Sequence, residues 1–321
     1  MEIYKNKLVI TIPAFNEEKT IAKVIQEIPK EIEGLKEVKI LVIDDGSTDK
    51  TAEIAKRAGA DYILVHKRNL GLAKTFKDGL DFALAIGADI IVNIDADAQY
   101  NAKEIPKLIE PILKGEADIV LGNRQIDKLD HMPRGKKIGN KIATWVTRKF
   151  SGMDIKDAQT GFRAFSREAV MKLNVLGDYT YTQETIIQAV KKGLKIVEVP
   201  VEFRKREDNS RLISSIWSYA KKAGIIIIRT YRDYHPFKVF TAIGGIVFLA
   251  GVILALRVLF HYLETGYVTP HLPTAVLSIM LIVVGSITMV FALLADMLKT
   301  QRELLEDAIY RIKKIENQKD K

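Results

Sequence analysis

Asp95, Asp97 and Gln99 stand two residues apart in the segment NIDADAQ, Asn93–Gln99. On an extended strand end they share one face, because side chains alternate along such a chain. Oxygen donors at that spacing suit Mg2+ or Mn2+, which keep several waters and take one or two carboxylates alongside phosphate oxygens. A single DxD is a weak signal. Here two more segments, PAFNEE (Pro13–Glu18) and DDGSTD (Asp44–Asp49), also follow short apolar runs. Taken singly, each reads as a solvated turn or cap, and Ser47, Thr48 and Asp49 suit the start of a helix. Three acidic strand ends in one sheet repel one another unless a cation or a donor-rich ligand sits among them. The set points to metal-assisted handling of a diphosphate.

Other chemistries are excluded. There is no cysteine, so no thiolate metal site, disulfide or cysteine nucleophile exists, and the five histidines are too scattered to suggest zinc. No GxGxxG follows the first strand and no GxxxxGK[ST] occurs, which weakens the dinucleotide and P-loop readings.

The elements that must position these residues alternate. Apolar runs at Leu8–Ile12, Lys39–Ile43, Tyr62–His66, Asp89–Ile94 and Asp118–Gly122 are separated by helix-period stretches near Glu17–Pro29, Thr51–Ala58, Leu72–Ile86 and Ala102–Lys114. That alternation predicts an α/β fold: a mostly parallel sheet with helices on both faces, and a site at the C-terminal strand ends.

The charge is unevenly spread. The chain of 321 residues carries a net +9. Residues 1–203 hold 32 basic and 30 acidic residues, whereas residues 204–238 hold 9 and 3. The segment 239–295 has only Arg257 and Glu264, and the tail from Asp296 holds 7 basic and 6 acidic residues. The stretches Val239–Phe260 and Thr274–Ala295 each run 22 residues with at most one charge. At 1.5 Å per residue each crosses a hydrocarbon core of about 30 Å, whereas a buried core helix seldom runs so long without a polar face. Gly244, Gly245, Gly251, Gly285 and Ser286 suit close packing of two spans. Arg229, Arg232, Lys238, Lys299 and Arg302 flank the outer ends. The positive-inside rule therefore puts both flanks, with the catalytic domain and both termini, in the cytoplasm and the connection His261–Leu272 outside. The opening MEIYKNK leads into too short an apolar run for a signal peptide.

The resulting organisation is a cytoplasmic domain over 1–203, basic amphipathic juxtamembrane helices over 204–238, two transmembrane helices over 239–298 and an amphipathic tail over 299–321. The basic belt, with Trp217, Tyr219, Tyr231 and Tyr234, suits the headgroup layer of an anionic leaflet. Nucleic acid is discounted as a partner, because the charge adjoins a span and residues 1–203 are nearly neutral. His131–Phe150 reads as a second basic amphipathic helix. Leu304, Leu305, Ala308, Ile309, Ile312 and Ile315 space an amphipathic or coiled-coil seam through which a homo-oligomer could form.

IPAFNEE (Ile12–Glu18), VIDDGSTD (Val42–Asp49), NIDADAQ (Asn93–Gln99), GNR (Gly122–Arg124) and DAQTGFR (Asp157–Arg163) resemble, in order and spacing over residues 8–212, the motif series of glycosyltransferase family 2. With two C-terminal spans the chain is most similar to the polyprenyl-phosphate (dolichyl-phosphate) hexose synthase type. The resemblance implies a GT-A fold and inverting transfer from a nucleotide-diphosphate sugar to a polyprenyl or dolichyl phosphate, with Mg2+ or Mn2+. Absence of QxxRW argues against a processive polysaccharide synthase.

By the same resemblance, Pro13, Phe15 and Glu17 line the nucleoside, and Ile43 and Asp45 contact base and ribose. Asp95, Ala96, Asp97 and Gln99 hold diphosphate and metal, the metal through Asp95, Asp97 and Gln99. Arg124 reaches a donor or acceptor phosphate. Arg206, Ser210 and Arg211 match the later phosphate-binding segment, with Arg204 exchangeable for Arg206. Asp97, Asp157 and Arg124 form the catalytic set. In relatives Asp157 is most often read as a base. A phosphate acceptor is already ionised, so orientation of sugar hydroxyls or of a basic side chain is the alternative. DDGSTD, where mannosyl members more often have DDxSPD, favours a UDP-sugar such as UDP-glucose or UDP-N-acetylglucosamine over GDP-mannose. A non-catalytic nucleotide-sugar sensor, or transfer to a non-lipid acceptor, are the competing readings.

Overall fold

In the computed structural model, residues 7–130, 132–174, 181–205 and 236–319 are described. Seven strands form one sheet: β1 (Lys7–Ala14), β2 (Glu37–Asp44), β3 (Tyr62–Val65), β4 (Ile90–Asn93), β5 (Ile119–Asn123), β6 (Arg163–Ser166) and β7 (Ile196–Pro200). Their order is β3-β2-β1-β4-β6-β5-β7. Every pairing is parallel except those of β6, which runs antiparallel to both β4 and β5. The expected α/β fold is therefore present, with one reversed strand that the apolar runs did not announce.

The reversal positions the site. Arg163, the first residue of β6, pairs with Asn93 at the end of β4 and with Leu121 in β5. The loop entering β6 thus arrives at the same edge where β1, β2, β4 and β5 end, and DAQTGFR joins the other motifs there.

Helices α1 (Ile21–Glu27), α2 (Thr51–Ala58), α3 (Leu72–Ala85), α4 (Ile105–Leu113), α5 (Arg134–Ser151), α6 (Arg167–Lys172) and α7 (Tyr181–Lys191) pack around the sheet. α1 begins at Ile21 rather than Glu17, because residues 15–20 are spent on the loop of the site. Central strand residues such as Ile10, Ile12, Ile90 and Ile91 are wholly buried, each contributing about 2 kcal/mol of apolar burial. The approach of α3 to the sheet needs a glycine: a Cβ at Gly79 would lie 2.9 Å from Ile43 Cδ1.

The chain divides into two compact units, Met1–Ala223 with Ile309–Lys321, and Gly224–Ala308. The second contains α8 (Pro236–Thr265) and most of α9 (Leu272–Lys319), both long and apolar enough to cross a membrane. They pack through small residues as expected. A Cβ at Gly285 would meet Phe248 N at 2.6 Å, one at Gly251 would meet Ile282 N at 2.8 Å, and one at Gly244 would meet Gly285 O at 2.9 Å. Gly245 has nothing within 4 Å and takes no part. Two expectations are corrected. The connection is shorter than His261–Leu272, because α8 continues to Thr265. The tail is no separate helix, because α9 runs on without a break past residue 299. Within the first unit, Tyr310 Oη donates to Glu168 Oε1 at 2.7 Å and Lys313 Nζ lies 3.6 Å from Asp81. Most of the belt 204–238 lies outside the described residues.

Candidate active site

The loops after β1 and β2 are stitched together. Asn16, in the left-handed region at φ 54°, donates its N–H to Ser47 Oγ at 2.9 Å and accepts at Oδ1 from the N–H of Thr48 at 2.8 Å. The Glu17 N–H donates to Thr51 Oγ1 at 2.9 Å, and the Thr20 hydroxyl donates to the Glu17 carboxylate at 3.0 Å. Ser47 and Thr48 therefore tie one loop to the other instead of capping α2. Asp49 does serve that helix, accepting from the N–H of Thr51 at 3.0 Å. Burial works against its charge, but the Thr51 bonds prevail and hold its carboxyl below the usual range. Gly46 is obligatory: its φ is +72°, and a Cβ would meet the Arg68 carbonyl carbon at 2.5 Å.

The acidic pair after β2 is satisfied by the protein itself. Asp44 Oδ1 accepts from the N–H of Ser47 at 2.9 Å. Asp45, 4% exposed, accepts from the N–H groups of Leu70 and Gly71 at 2.8 and 2.9 Å and lies 2.8 Å from His66 Nδ1. His66 Nε2 lies 3.2 Å from Asp78 Oδ2, too poorly aligned for a hydrogen bond. Of the three acidic strand ends expected to gather a cation or a donor-rich ligand, the one after β2 thus has donors within the protein. Pro13 is buried and pairs with Ile43 in the sheet, while Phe15 stands exposed at the loop. Ile43 is wholly buried beneath Gly79, so its part is to carry Asp45 rather than to touch a ligand.

The Asp95–Gln99 segment departs from the expected strand. β4 stops at Asn93, residues 96–98 form a turn, and Ala98 sits at φ 58°. Parity along an extended chain therefore does not hold, and a turn gathers these residues instead. Asp97 Oδ1 accepts from the Gln99 N–H at 3.1 Å, and Ala96 is buried in the core. Asp95 is packed against Gly161, where a Cβ would stand 2.5 Å from Oδ2. The donors on this turn are carboxylate and amide oxygens, with no thiolate or imidazole, which fits a hard divalent cation. Among the described residues no group of three or more acidic or histidine side chains makes a complete cage. A cation held here would draw its remaining oxygens from phosphate and water.

Arg124 and Asp157 form a buried bidentate pair. Arg124 Nε donates to Oδ2 at 2.7 Å and Nη2 donates to Oδ1 at 2.8 Å. The N–H groups of Arg124 and Gln159 add contacts to Oδ2 and Oδ1 at 3.2 and 3.3 Å. Burial opposes the charge on Arg124, but Tyr100, Asp157 and Asp95 outweigh it and push its pKa above the ordinary value. Glu198 of β7 accepts from the Asp157 N–H at 2.9 Å and fixes that backbone. Burial pushes the Glu198 carboxyl up, opposed by its bonds to the N–H groups of Lys156 and Asp157.

Arg204 is engaged with a carboxylate. Its Nη1 spans both Glu27 oxygens at 2.8 and 2.9 Å, and its backbone pairs with Gln99 in both directions, N–H to O at 2.7 Å and O from Nε2 at 3.2 Å. Of the two arginines expected to exchange, Arg204 is thus paired with a carboxylate, and Arg206 lies outside the described residues, as do Ser210 and Arg211.

Three contributors carried no sequence role. Tyr100 Oη accepts from the Gly161 N–H at 3.0 Å, and its ring packs 5.1 Å from Phe203. Phe203 in turn lies 5.2 Å from the Arg124 guanidinium carbon. Arg163, wholly buried, donates to the carbonyls of Ala158, Thr160 and Thr182 and to the Thr185 hydroxyl at 2.7–2.9 Å, pinning the Asp157 loop without a carboxylate. The only signal for Arg163 was its place in DAQTGFR. Tyr100 and Phe203 gave none beyond adjacency to motifs.

Residues 9–173 match the model of the glycosyl transferase family 2, and residues 221–299 match that of the glycosyltransferase family 2 C-terminal transmembrane region. The UDP-N-acetylglucosamine–dolichyl-phosphate N-acetylglucosaminyltransferase of Methanococcus voltae is 32% identical, covering 60% of this chain and 84% of that protein. The dolichol-phosphate mannosyltransferase of Pyrococcus furiosus is also 32% identical, over 67% and 62%. Glucosyl-3-phosphoglycerate synthase from Mycobacterium tuberculosis, crystallised with Mn2+, uridine diphosphate and glucosyl-3-phosphoglycerate, has the same fold. It superposes with a TM-score of 0.56 at 23% identity, covering 71% of this chain and 79% of that one. The chain belongs to glycosyltransferase family 2.

Proposed function

We propose that this family 2 glycosyltransferase moves one hexosyl unit, with inversion, from a nucleotide-diphosphate sugar to a polyprenyl or dolichyl phosphate at the cytoplasmic face of a membrane. The observation that carries the reading is a continuous chain of contacts at the sheet edge. Asp95 lies against Gly161, Gly161 bonds to Tyr100, Tyr100 packs on Phe203, and Phe203 lies beside Arg124. Carboxylates suited to a diphosphate-bound cation thus stand close to a guanidinium suited to a phosphate. The apolar helices α8 and α9 and the named relatives support a lipid acceptor.

A phosphate oxygen of the acceptor attacks C1 as the bond from C1 to the nucleotide diphosphate breaks. The acceptor is already ionised, so no base is required. A bound Mg2+ or Mn2+ at Asp95 and Asp97, with Gln99 beside them, would neutralise the leaving diphosphate. Arg124 keeps Nη1, which bonds to nothing among the described residues, for a phosphate oxygen. Asp157, its lone pairs engaged by four N–H groups, holds that guanidinium in place rather than taking a proton. Phe15 and Glu17, with Asp45 behind them, line the nucleoside.

For the donor we infer a UDP-sugar, UDP-glucose or UDP-N-acetylglucosamine. Thr48 stands where mannosyl members more often have proline, and its N–H bond to Asn16 is one that proline cannot make. The similarity to the Pyrococcus mannosyltransferase favours GDP-mannose as the second reading. Incubation with each labelled donor and a short polyprenyl phosphate decides. Lipid-extractable label from a UDP-sugar supports the proposal, label from GDP-mannose alone moves it to the second reading, and water-soluble product refutes the acceptor.

A further inference from the structure

His66 is a buried polar side chain that the transfer reaction leaves unused. It stands one residue past β3, and its backbone N–H donates to the Asp44 carbonyl at 2.9 Å. Its imidazole is 8% exposed and lies between two carboxylates, Asp45 at 5% and Asp78 at 20%. Nδ1 is 2.8 Å from Asp45 Oδ1. An ionised carboxylate offers only acceptors, so Nδ1 is the donor. Nε2 is 3.2 Å from Asp78 Oδ2 without the alignment of a hydrogen bond, and it bonds to nothing else among the described residues. The orientation of the ring is therefore set at Nδ1. The gap that it fills is fixed by backbone packing. Gly79, next to Asp78 on α3, lies so close to Ile43 of β2 that a Cβ would stand 2.9 Å from Ile43 Cδ1. Asp78 is held in turn by Lys74, whose Nζ is 2.5 Å from its other oxygen.

The Asp45 carboxylate takes its donors from one loop. The N–H groups of Leu70 and Gly71 come from the backbone that opens α3, and His66 supplies the third donor. Oδ1 is shared by Leu70 and His66, whereas Oδ2 takes Gly71 and keeps a lone pair beyond that bond. The terminal torsion of an aspartate is broad, so a third donor on a packed ring removes freedom that the backbone pair leaves. We propose that His66 is a positioning residue for the donor nucleoside, holding the Asp45 carboxylate in the orientation that meets it. The inference rests on Asp45 as a nucleoside contact in the function proposed above, and adds the residue that orients that contact. A ribose hydroxyl or a base N–H is the donor such an acceptor recognises, and an acceptor already fixed loses less freedom on binding. The competing account is a ring that only fills space between strand and helix. The two accounts differ in whether one particular nitrogen matters.

Calorimetry of UDP and of GDP, each with Mn2+, on the full-length chain in detergent reads the effect, with the Tm of each variant measured alongside. His66→Asn puts an amide N–H near the place of Nδ1, and His66→Gln puts one near the place of Nε2. Nucleotide affinity in His66→Asn should stay within about threefold of wild type, whereas His66→Gln and His66→Phe should bind about tenfold more weakly. The KM for a short polyprenyl phosphate should stay within about twofold in all three. Equal affinity in the Asn and Gln variants, or tighter binding by Gln, overturns the proposal, since the Nδ1 donor is then not what matters. A comparable rise in KM for both substrates overturns it too, as does a collapse of Tm in both polar variants, since either marks a general structural role. Should His66→Phe fail to fold, the Asn and Gln comparison still decides. Asp45→Ala separates this inference from the functional reading. Wild-type nucleotide affinity in Asp45→Ala removes the nucleoside role of Asp45, and the inference with it. Weakened binding in Asp45→Ala beside wild-type binding in His66→Gln ends the inference alone.

Discussion

Arg124 grips Asp157 with two N–H groups of its guanidinium, at 2.7 and 2.8 Å, across 33 positions of sequence. The carboxylate is held on both oxygens by its own protein. Asp157→Asn should therefore lower kcat by about tenfold to a hundredfold, through a misplaced guanidinium, while nucleotide affinity stays within about twofold. Arg124→Lys, which cannot bond bidentately, should do at least as much. Steady-state kinetics with calorimetry of nucleotide binding separates the two effects. Loss of the acid limb of the pH–rate profile in Asp157→Asn would restore the role of a base.

Asp97→Ala should reduce transfer by about a thousandfold and remove its dependence on added Mg2+ or Mn2+. Titration of rate against each ion, on wild type and variant, measures this. Undiminished activity in the variant, or in wild type stripped of divalent ions, would end the metal assignment.

Gly161→Ala places a methyl group where Asp95 Oδ2 already stands, 2.5 Å away. The carboxylate must move, at about 1–3 kcal/mol of stability. The concentration of Mn2+ giving half-maximal rate should rise, while nucleoside affinity changes little. An unchanged metal requirement contradicts the placement of Asp95.

Arg163→Met removes four bonds and takes from the buried carbonyls of Ala158 and Thr160 the donor that holds them. Burial, resisted by Tyr181 and Asp157, already draws the Arg163 pKa down to about 10, so the fold tolerates this charge only through those acceptors. The variant should lose about 3–5 kcal/mol, read as a lowered Tm of the detergent-solubilised enzyme.

Tyr100 should ionise late. Burial, opposed by Arg124, pushes its phenol up to about 12 from 10. The folded pKa lies above the unfolded one, so the stability that the neutral phenol contributes is present below pH 10 and fades as pH rises through 12. Ultraviolet titration of wild type against Tyr100→Phe should show one phenol missing from the latest-titrating fraction.

The sheet was legible because apolar runs and the acidic segments after them are local signals. Thr51–Ala58 is a helix over the very residues its period suggests. What escaped depends on distant partners. Nothing near Arg204 in sequence announces Glu27, 177 positions away, which claims its guanidinium. Nothing in NIDADAQ announces that Ala98 turns left-handed and replaces strand parity by a turn. β6 was hidden because four residues, Arg163–Ser166, carry too little pattern, and its reversed direction is set by its neighbours. The small residues of α8 and α9 were readable because close packing in an apolar pair permits few alternatives.

The reversed strand has one more consequence. β5 and β6 are antiparallel neighbours, so everything between them, residues 124–162, is one long excursion that leaves the sheet and returns to it beside its point of departure. The excursion is buckled shut at its base by Arg124 and Asp157. Segments closed in this way are interchangeable parts: length and outer surface can be rewritten without disturbing the register beneath. The outer surface of the excursion can therefore differ while β5 and β6 keep their register.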